Sequence, residues 1–231
     1  MHVVVGTDAY GRVKGVHKTA IVTVFSMVQS LPVAPIKSYY AWGSATSETI
    51  GVPFLATVRN VQLRGLPLAR VDRTSVAFSY VRAALAALIL IGFIGTFSGF
   101  IFSLNGKPMD DFARTATRLA EACLATGVAG GVLTFLVPTV GRRERLIRSF
   151  CGELLGVCID PGRVASDVAA AIGETLPQFD IQDRSGAKRP RLEIVRNLVL
   201  TRCDVATDDG RDCEARTDEL LDQLRHLDRV A

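Results

Sequence analysis

Much of what would mark a familiar chemistry is missing from this chain. Its five cysteines (Cys123, Cys151, Cys158, Cys203 and Cys213) are odd in number and none stands in Cys-x-x-Cys spacing. Neither a disulfide framework nor a zinc site is therefore expected. The three histidines, His2, His17 and His226, lie far apart, without metal or triad spacing. Gly127-Val128-Ala129-Gly130-Gly131 is glycine-rich but lacks the Lys-Ser/Thr of a phosphate loop. Asp208-Asp209-Gly210-Arg211-Asp212 lacks the calcium-loop pattern with its closing Glu and reads as a solvated turn. Tyr39, Tyr40 and Trp42 have no accompanying run of Lys or Arg, which argues against a nucleic-acid partner and for packing beside a β core. No cleavable leader opens the chain, because Met1–Gly6 has neither a positive n-region nor an apolar run of helical length. No catalytic residue, cofactor or metal is expected, and the chain reads as a non-enzyme.

The absence that carries most information is charge. Residues 83–104 and 122–141 contain no Asp, Glu, Lys or Arg, while the rest is charged at ordinary density. The first run, Ala83 to Leu104, has 22 residues. As a helix it spans roughly 33 Å at ~1.5 Å per residue, against a hydrocarbon core of ~30 Å. A soluble protein would have to cover every face of such a helix, and the flanking regions are small. Asn105-Gly106 and Pro108 stop it. The second run, Ala122 to Gly141, has 20 residues but is richer in Gly, Ala and Thr, so its preference for lipid is weaker. Next to the first run it is expected to complete a transmembrane hairpin, with helices at about 83–104 and 119–141.

Gly95 and Gly99 form one G-x-x-x-G pair and Gly127 and Gly131 another. Lipid supplies no hydrophobic drive between helices, so close backbone approach over small residues becomes the packing force. These four glycines are the candidate helix-packing residues, within the hairpin or between copies of the chain. Arg82, Arg142, Arg143, Arg145 and Arg148 are the candidate basic residues at the membrane interface, attracted to anionic headgroups. With Arg64, Arg70 and Arg73 they outnumber Lys107, Arg114 and Arg118 of the connection, which places both termini in the cytoplasm. Glu121, at a helix mouth beside Arg118, reads as a solvated interfacial carboxylate rather than part of an ion path.

The flanks differ in kind. Residues 1–82 hold nine Lys/Arg against three acids. That balance fits a place near anionic lipid, or simply a soluble surface. Residues 1–80 read as a small β-rich cytoplasmic domain of about five to six strands, antiparallel or a barrel. Its candidates are Met1–Gly6, Tyr10–Val16, Ala20–Phe25, Ser38–Trp42, Pro53–Val58, Asn60–Leu63 and Leu68–Val71. Residues 142–231 read as a mainly helical cytoplasmic domain. Arg142–Leu155 either extends the second membrane helix or stands alone, and Ser166–Ile172 opens another helix ending near Pro177. Gln182–Arg189 is a loop, and Arg191–Cys203 is a helix with a strand as the fallback. Leu220, Leu221, Leu224 and Leu227 form one stripe on a charged helix, packed on its own domain or on a coiled-coil partner. The fold class expected is thus α+β with a transmembrane hairpin between the two flanks.

Val5-Gly6-Thr7, Tyr10-Gly11-Arg12-Val13, Leu31-Pro32 and Ser38-Tyr39-Tyr40-Ala41-Trp42-Gly43 together resemble the front end of uncharacterised bacterial membrane proteins. The resemblance implies a small β-region ahead of apolar helices, and an inner-membrane location. It implies no activity. The expected role is a multi-pass membrane protein that binds or scaffolds, with the lipid bilayer as its first partner and another membrane protein or its own copies as others. The alternative is an oligomeric subunit of a transport or channel assembly.

Overall fold

The computed structural model describes residues 3–28, 31–43, 46–52, 56–104, 110–136, 139–176, 189–207 and 211–230. The stop at Asn105-Gly106 and Pro108, Pro138, Pro177, the polar stretch 182–188 and the turn Asp208-Asp209-Gly210 lie outside them. The fold is α+β: strands β1 (Val3–Val16), β2 (Thr19–Val28), β3 (Leu31–Trp42), β4 (Thr46–Val52), β5 (Ala56–Gln62) and β6 (Gly65–Pro67) precede the helices. They form one sheet in the order β4-β5-β1-β2-β3-β6.

Strand β2 shows why the sheet forms where it does. Its run Thr-Ala-Ile-Val-Thr-Val-Phe is dense in β-branched residues, and Thr19 to Thr23, Phe25 and Met27 are all buried. Residues from both pleat faces are covered, as a central strand requires. Strands β1 and β3 flank it antiparallel. The β1–β5 pair, by contrast, is parallel. The chain leaves β3, crosses to the free side of β1, forms the β4–β5 hairpin there, and returns to lay β6 beside β3. Turn residues signal hairpins and carry no signal for such a crossover, so a wholly antiparallel sheet was the natural expectation.

Several strand limits differ for local reasons. The two candidates at Met1–Gly6 and Tyr10–Val16 are one strand, β1, because pairing with β2 runs unbroken through Gly6, Thr7 and Asp8; its irregularities fall later, as register shifts between Tyr10 and Val16. Strand β3 tolerates Pro32 and Pro35, and shifts of register opposite β2 fall beside them. Strand β4 comes from a segment with no strand signal. Leu68–Val71 contributes only one isolated bridge, from Leu68 to Val164.

The helices are α1 (Arg73–Leu104), α2 (Asp111–Leu136), α3 (Arg142–Leu155), α4 (Ser166–Thr175), α5 (Arg189–Thr207) and α6 (Arg211–Val230), with a 3-10 turn at Pro161–Arg163. Helix α3 is separate from α2, and Gly156 ends it in the left-handed conformation (φ 72°), donating back to the Gly152 carbonyl at 3.0 Å. Leu192, Val195, Leu198 and Val199 of α5 are buried, as are Leu220, Leu221 and Leu224 of α6. The leucine stripe is therefore spent against α5 inside its own domain.

The two flanks read as separate domains are one compact unit, made of residues 1–76 with 139–231; residues 77–138 form a second. Ala69 donates to the Arg163 carbonyl at 2.9 Å, Ala165 to Pro67 at 2.9 Å, and the Lys14 amide to Thr139 Oγ1 at 2.6 Å. Their keystone is Arg148, expected at a membrane interface and instead fully buried. Its Nε donates to the Cys158 carbonyl at 2.9 Å, Nη2 to Thr19 at 3.0 Å and Nη1 to the Lys14 carbonyl. The guanidinium lies 4.9 Å from the centre of the Tyr40 ring. Sequence position alone placed it with Arg142 and Arg145, but the turn of the helix points Ile147 and Arg148 inward.

Replacing Arg148 strands three main-chain carbonyls in a dry site. Arg148→Ala is expected to cost about 3–5 kcal/mol of folding stability. Denaturant unfolding of the solubilised protein measures this, and a loss no larger than that of Arg145→Ala would refute the keystone role.

Candidate functional site

Two arrangements bring together residues with more than a packing role. The first is the helix pair of the second unit. Helices α1 and α2 run antiparallel and touch where side chains are missing. A Cβ on Gly95 would stand 2.5 Å from the Ala120 Cβ, and one on Gly99 would stand 2.8 Å from Thr117 Cγ2. One on Gly127 would meet Ile89 Cγ1 at 2.7 Å. At Gly131 nothing lies within 4 Å, so this fourth candidate sits off the contact. Gly92 and Gly130, unmarked by the G-x-x-x-G spacing, are in it: a Cβ would fall 2.5 Å from the Leu124 nitrogen and 2.6 Å from Leu85 Cδ2 respectively. Counting by threes as well as fours from Gly95 and Gly127 would have found both. Arg82 caps this arrangement by donating to the Thr134 carbonyl at 3.3 Å, with its guanidinium 5.7 Å from the Phe78 ring centre.

Among the described residues one helix is long and apolar enough to cross a membrane: α1, and only 11% of its apolar window is buried. Leu90, Ile91, Phe93, Ile94, Phe97 and Phe100 are all exposed. Among the described residues helix α2 does not reach that standard, so the expected hairpin of two spans at about 83–104 and 119–141 is met at its first helix, and the second, read as the weaker, falls short. Its first half carries Asp111, Arg114, Arg118 and Glu121, and its uncharged part, diluted by Gly, Ala and Thr, ends at Leu136. Multi-pass topology and the placement of the termini accordingly do not follow from helix composition.

The second arrangement is a charged cluster in the first unit. Asp72 caps α1: its Oδ1 accepts from the Ser75 amide at 2.9 Å, three residues on. Its Oδ2 takes Lys14 Nζ at 2.8 Å and Arg163 Nη2 at 2.5 Å. Arg163 Nη1 reaches on to Glu144 Oε1 at 2.8 Å. Behind the carboxylate, Thr23 Oγ1 lies 2.7 Å from Ser38 Oγ and donates to Ser75 Oγ at 2.8 Å, while the Asp72 amide donates to Ser38 Oγ at 3.0 Å. Lys14 reaches this place because it sits in the β1 irregularity with φ 52°, a left-handed conformation uncommon for a residue with a side chain. Burial works to raise the Asp72 carboxyl, but the Lys14 ammonium, the Ser75 amide and Arg163 together hold it below its ordinary value.

Beside this cluster a cleft of about 860 Å³ opens, lined by Lys14, Arg70, Asp72, Arg73, Thr74 and Arg163 together with apolar Leu68, Val71 and Val205. Arg70 and Arg73 are exposed and hold no ion pair among the described residues. A separate network anchors the helices. Arg202 grips Asp160 with Nε and Nη2 at 2.8 and 2.9 Å and reaches Glu214 at 2.7 Å. Arg143 reaches Glu214 at 2.5 Å and Asp218 at 2.7 Å. Arg143 thus braces α3 against α6, while Arg142 and Arg145 remain exposed. Glu214, despite the opposing effect of burial, is held below its ordinary value by these two arginines. Among the described residues no three of His, Cys, Asp and Glu gather into a metal-holding group. The buried thiols Cys151 and Cys203 are pushed up by burial, the latter to about 11, and so are poor nucleophiles.

Comparison with protein-family models, with curated proteins and with solved structures gives no match.

Two outcomes follow. Gly92→Val drives a branched side chain into the α2 backbone and should lower the unfolding midpoint in detergent, a cost of about 1–3 kcal/mol, whereas Gly131→Val should leave it nearly unchanged; equal effects would show that the glycines do not set the contact. Asp72 and Glu214 are depressed in the folded protein, so their stabilisation is complete above their ordinary values of 3.8 and 4.5 and drains as the pH falls through the lower folded values. Thermal unfolding between pH 7 and pH 3 should show that decline, and Asp72→Asn should flatten part of it; a parallel curve for the variant would remove Asp72 from the account.

Proposed function

We propose that this chain is a membrane-anchored, non-enzymatic binding or scaffolding protein, with helices α1 and α2 in the bilayer and the sheet-and-helix unit on its cytoplasmic face. The observation that carries the reading is the exposure of the α1 apolar surface: Leu90, Ile91, Phe93, Ile94, Phe97 and Phe100 stand at 54–60% exposure, and only 11% of the apolar window is buried. Water makes such a surface costly and hydrocarbon does not.

Chain connectivity supports the hairpin form. Residues 1–76 and 139–231 close into one unit, so both ends of the intervening segment return to it. If α1 crosses the bilayer the chain must cross back before Thr139, and α2 is the helix available for it. Its glycines make the close pairing that lipid favours. Exposed Arg64, Arg70, Arg73, Arg142 and Arg145 keep the excess of basic residues on the side of that unit, without Arg148. The resemblance of the front end to bacterial membrane proteins agrees with an inner-membrane site. For binding, the last residue of β2 and the first half of β3 present Val28, Leu31, Val33 and Ile36 at 47–58% exposure, apolar side chains open to a partner.

The reading as an oligomeric transport subunit draws on Gly131, beside which the helix pair leaves open space for a further helix. Cross-linking in native membranes that yields monomers alone removes it. For the anchor itself, an alkaline carbonate wash should leave the protein in the membrane pellet, and detergent should be needed to release it. A monodisperse protein in plain buffer, free of lipid and detergent, would end the proposal.

A further inference from the structure

We infer that the cleft at the head of α1 binds a small phosphate-bearing anion, held by Arg70 and Arg73 at its mouth and by Lys14 and Arg163 deeper in. The inference rests on the binding half of the function proposed above, and not on the anchor. Four cations and one acid, Asp72, line the cleft, and Glu144 beside it pairs Arg163 at 2.8 Å and Lys14 at 3.8 Å, so two positive charges are left over. Asp72 is already engaged by Lys14, by Arg163 and by the Ser75 amide, so its charge is shared among three donors. Arg70 and Arg73 have no carboxylate of their own among the described residues, yet both face the cleft. Cations that serve only solubility have no reason to stand together around a concavity, and the uncompensated charge of Arg70 and Arg73 beside two paired cations is a cost that a bound anion removes.

The volume, about 860 Å³, exceeds what a bare phosphate fills and suits a phosphate carrying a further polar group. Guanidinium is the side chain whose planar pair of N–H donors matches phosphate oxygens, and three of the four cations are arginines. Thr74 adds a hydroxyl to the lining, and Leu68, Val71 and Val205 add an apolar surface for a neutral portion of the ligand. The shared chemistry is the phosphate; its source is either a soluble phosphate compound or a phospholipid headgroup. Arg73 opens the helix whose uncharged run begins at Ala83, which makes the lipid source a necessary arm of the test.

The test uses the full chain in nanodiscs of phosphatidylcholine. Pyrophosphate is titrated by calorimetry, and in a second arm phosphatidic acid is included in the disc and the unfolding midpoint is read. Saturable pyrophosphate binding identifies a soluble source, and a raised midpoint with phosphatidic acid alone identifies a headgroup. Either response should weaken about tenfold or more in Arg70→Ala/Arg73→Ala, the scale of a lost charge-assisted hydrogen bond. It should persist in Arg216→Ala/Arg229→Ala, which removes equal charge from exposed positions of α6 outside the cleft. Because Arg70 and Arg73 are exposed, the first variant should keep the unliganded unfolding midpoint of the parent. No response to either probe, or a response equal in the two double variants, overturns the inference. Protein that stays in the carbonate pellet and binds neither probe loses the cleft and keeps the anchor; protein that washes off and still binds pyrophosphate loses the anchor and keeps the cleft.

Discussion

A guanidinium with no exposure to water has to be held on every side, and Arg148 is. Three main-chain carbonyls from three different segments, at Lys14, Thr19 and Cys158, accept its protons, and the Tyr40 ring covers one face. Burial pulls the group toward losing its charge, opposed by Tyr40 and Glu144. Arginine keeps that charge in proteins, so its burial is offset by a hydrogen bond from each of the three guanidinium nitrogens, with Glu144 Oε1 3.9 Å from Nη1. The consequence reaches beyond one side chain. The carbonyls belong to the turn end of the β1–β2 hairpin and to the segment after α3, so the residue joins the first 76 residues to those after Thr139. Lys14 sits in the β1 irregularity with a left-handed backbone; there its carbonyl accepts from Arg148 and its ammonium pairs with Asp72. The buried arginine, the bulge, the helix cap and the basic cleft are therefore one connected arrangement.

The second unit is built on the opposite principle. Where the first unit spends hydrogen bonds, α1 and α2 meet through what their glycines lack. A methyl group would run into opposing backbone at Gly92 and Gly127, and into the side chains of Ala120, Thr117 and Leu85 at Gly95, Gly99 and Gly130. The large side chains are turned outward, as in a helix pair whose solvent is hydrocarbon. The contrast between a polar, interlocked unit and an inside-out pair agrees with a chain working across two solvents.

Local elements were largely legible. The density of β-branched residues located β2, the uncharged run located the apolar part of α1, and the leucine spacing located α6. Each signal is a periodicity or a composition along a short window, which is what local structure responds to. Strand β4, the parallel β1–β5 pair and the start of α1 at Arg73 were not legible. Each depends on a neighbour supplied from elsewhere in the chain: β5 for β4, the crossover for the parallel pair, and the Ser38 hydroxyl and the Lys14 and Arg163 cations for the Asp72 cap. The charged cleft was invisible for the same reason, since its cations come from positions as far apart as Lys14 and Arg163.

The sequence by itself determined the α+β class of this protein and the apolar run of α1, because hydropathy and β-propensity act residue by residue; the second span it led us to expect does not meet the same standard. It also determined that small residues would matter between the helices. Only the tertiary structure decided which arginines face water and which are structural, which glycines touch the opposite helix, and that the two ends of the chain form one body. Those outcomes depend on which face of an element meets which distant partner, and a linear string holds no record of that geometry until the chain has closed on itself.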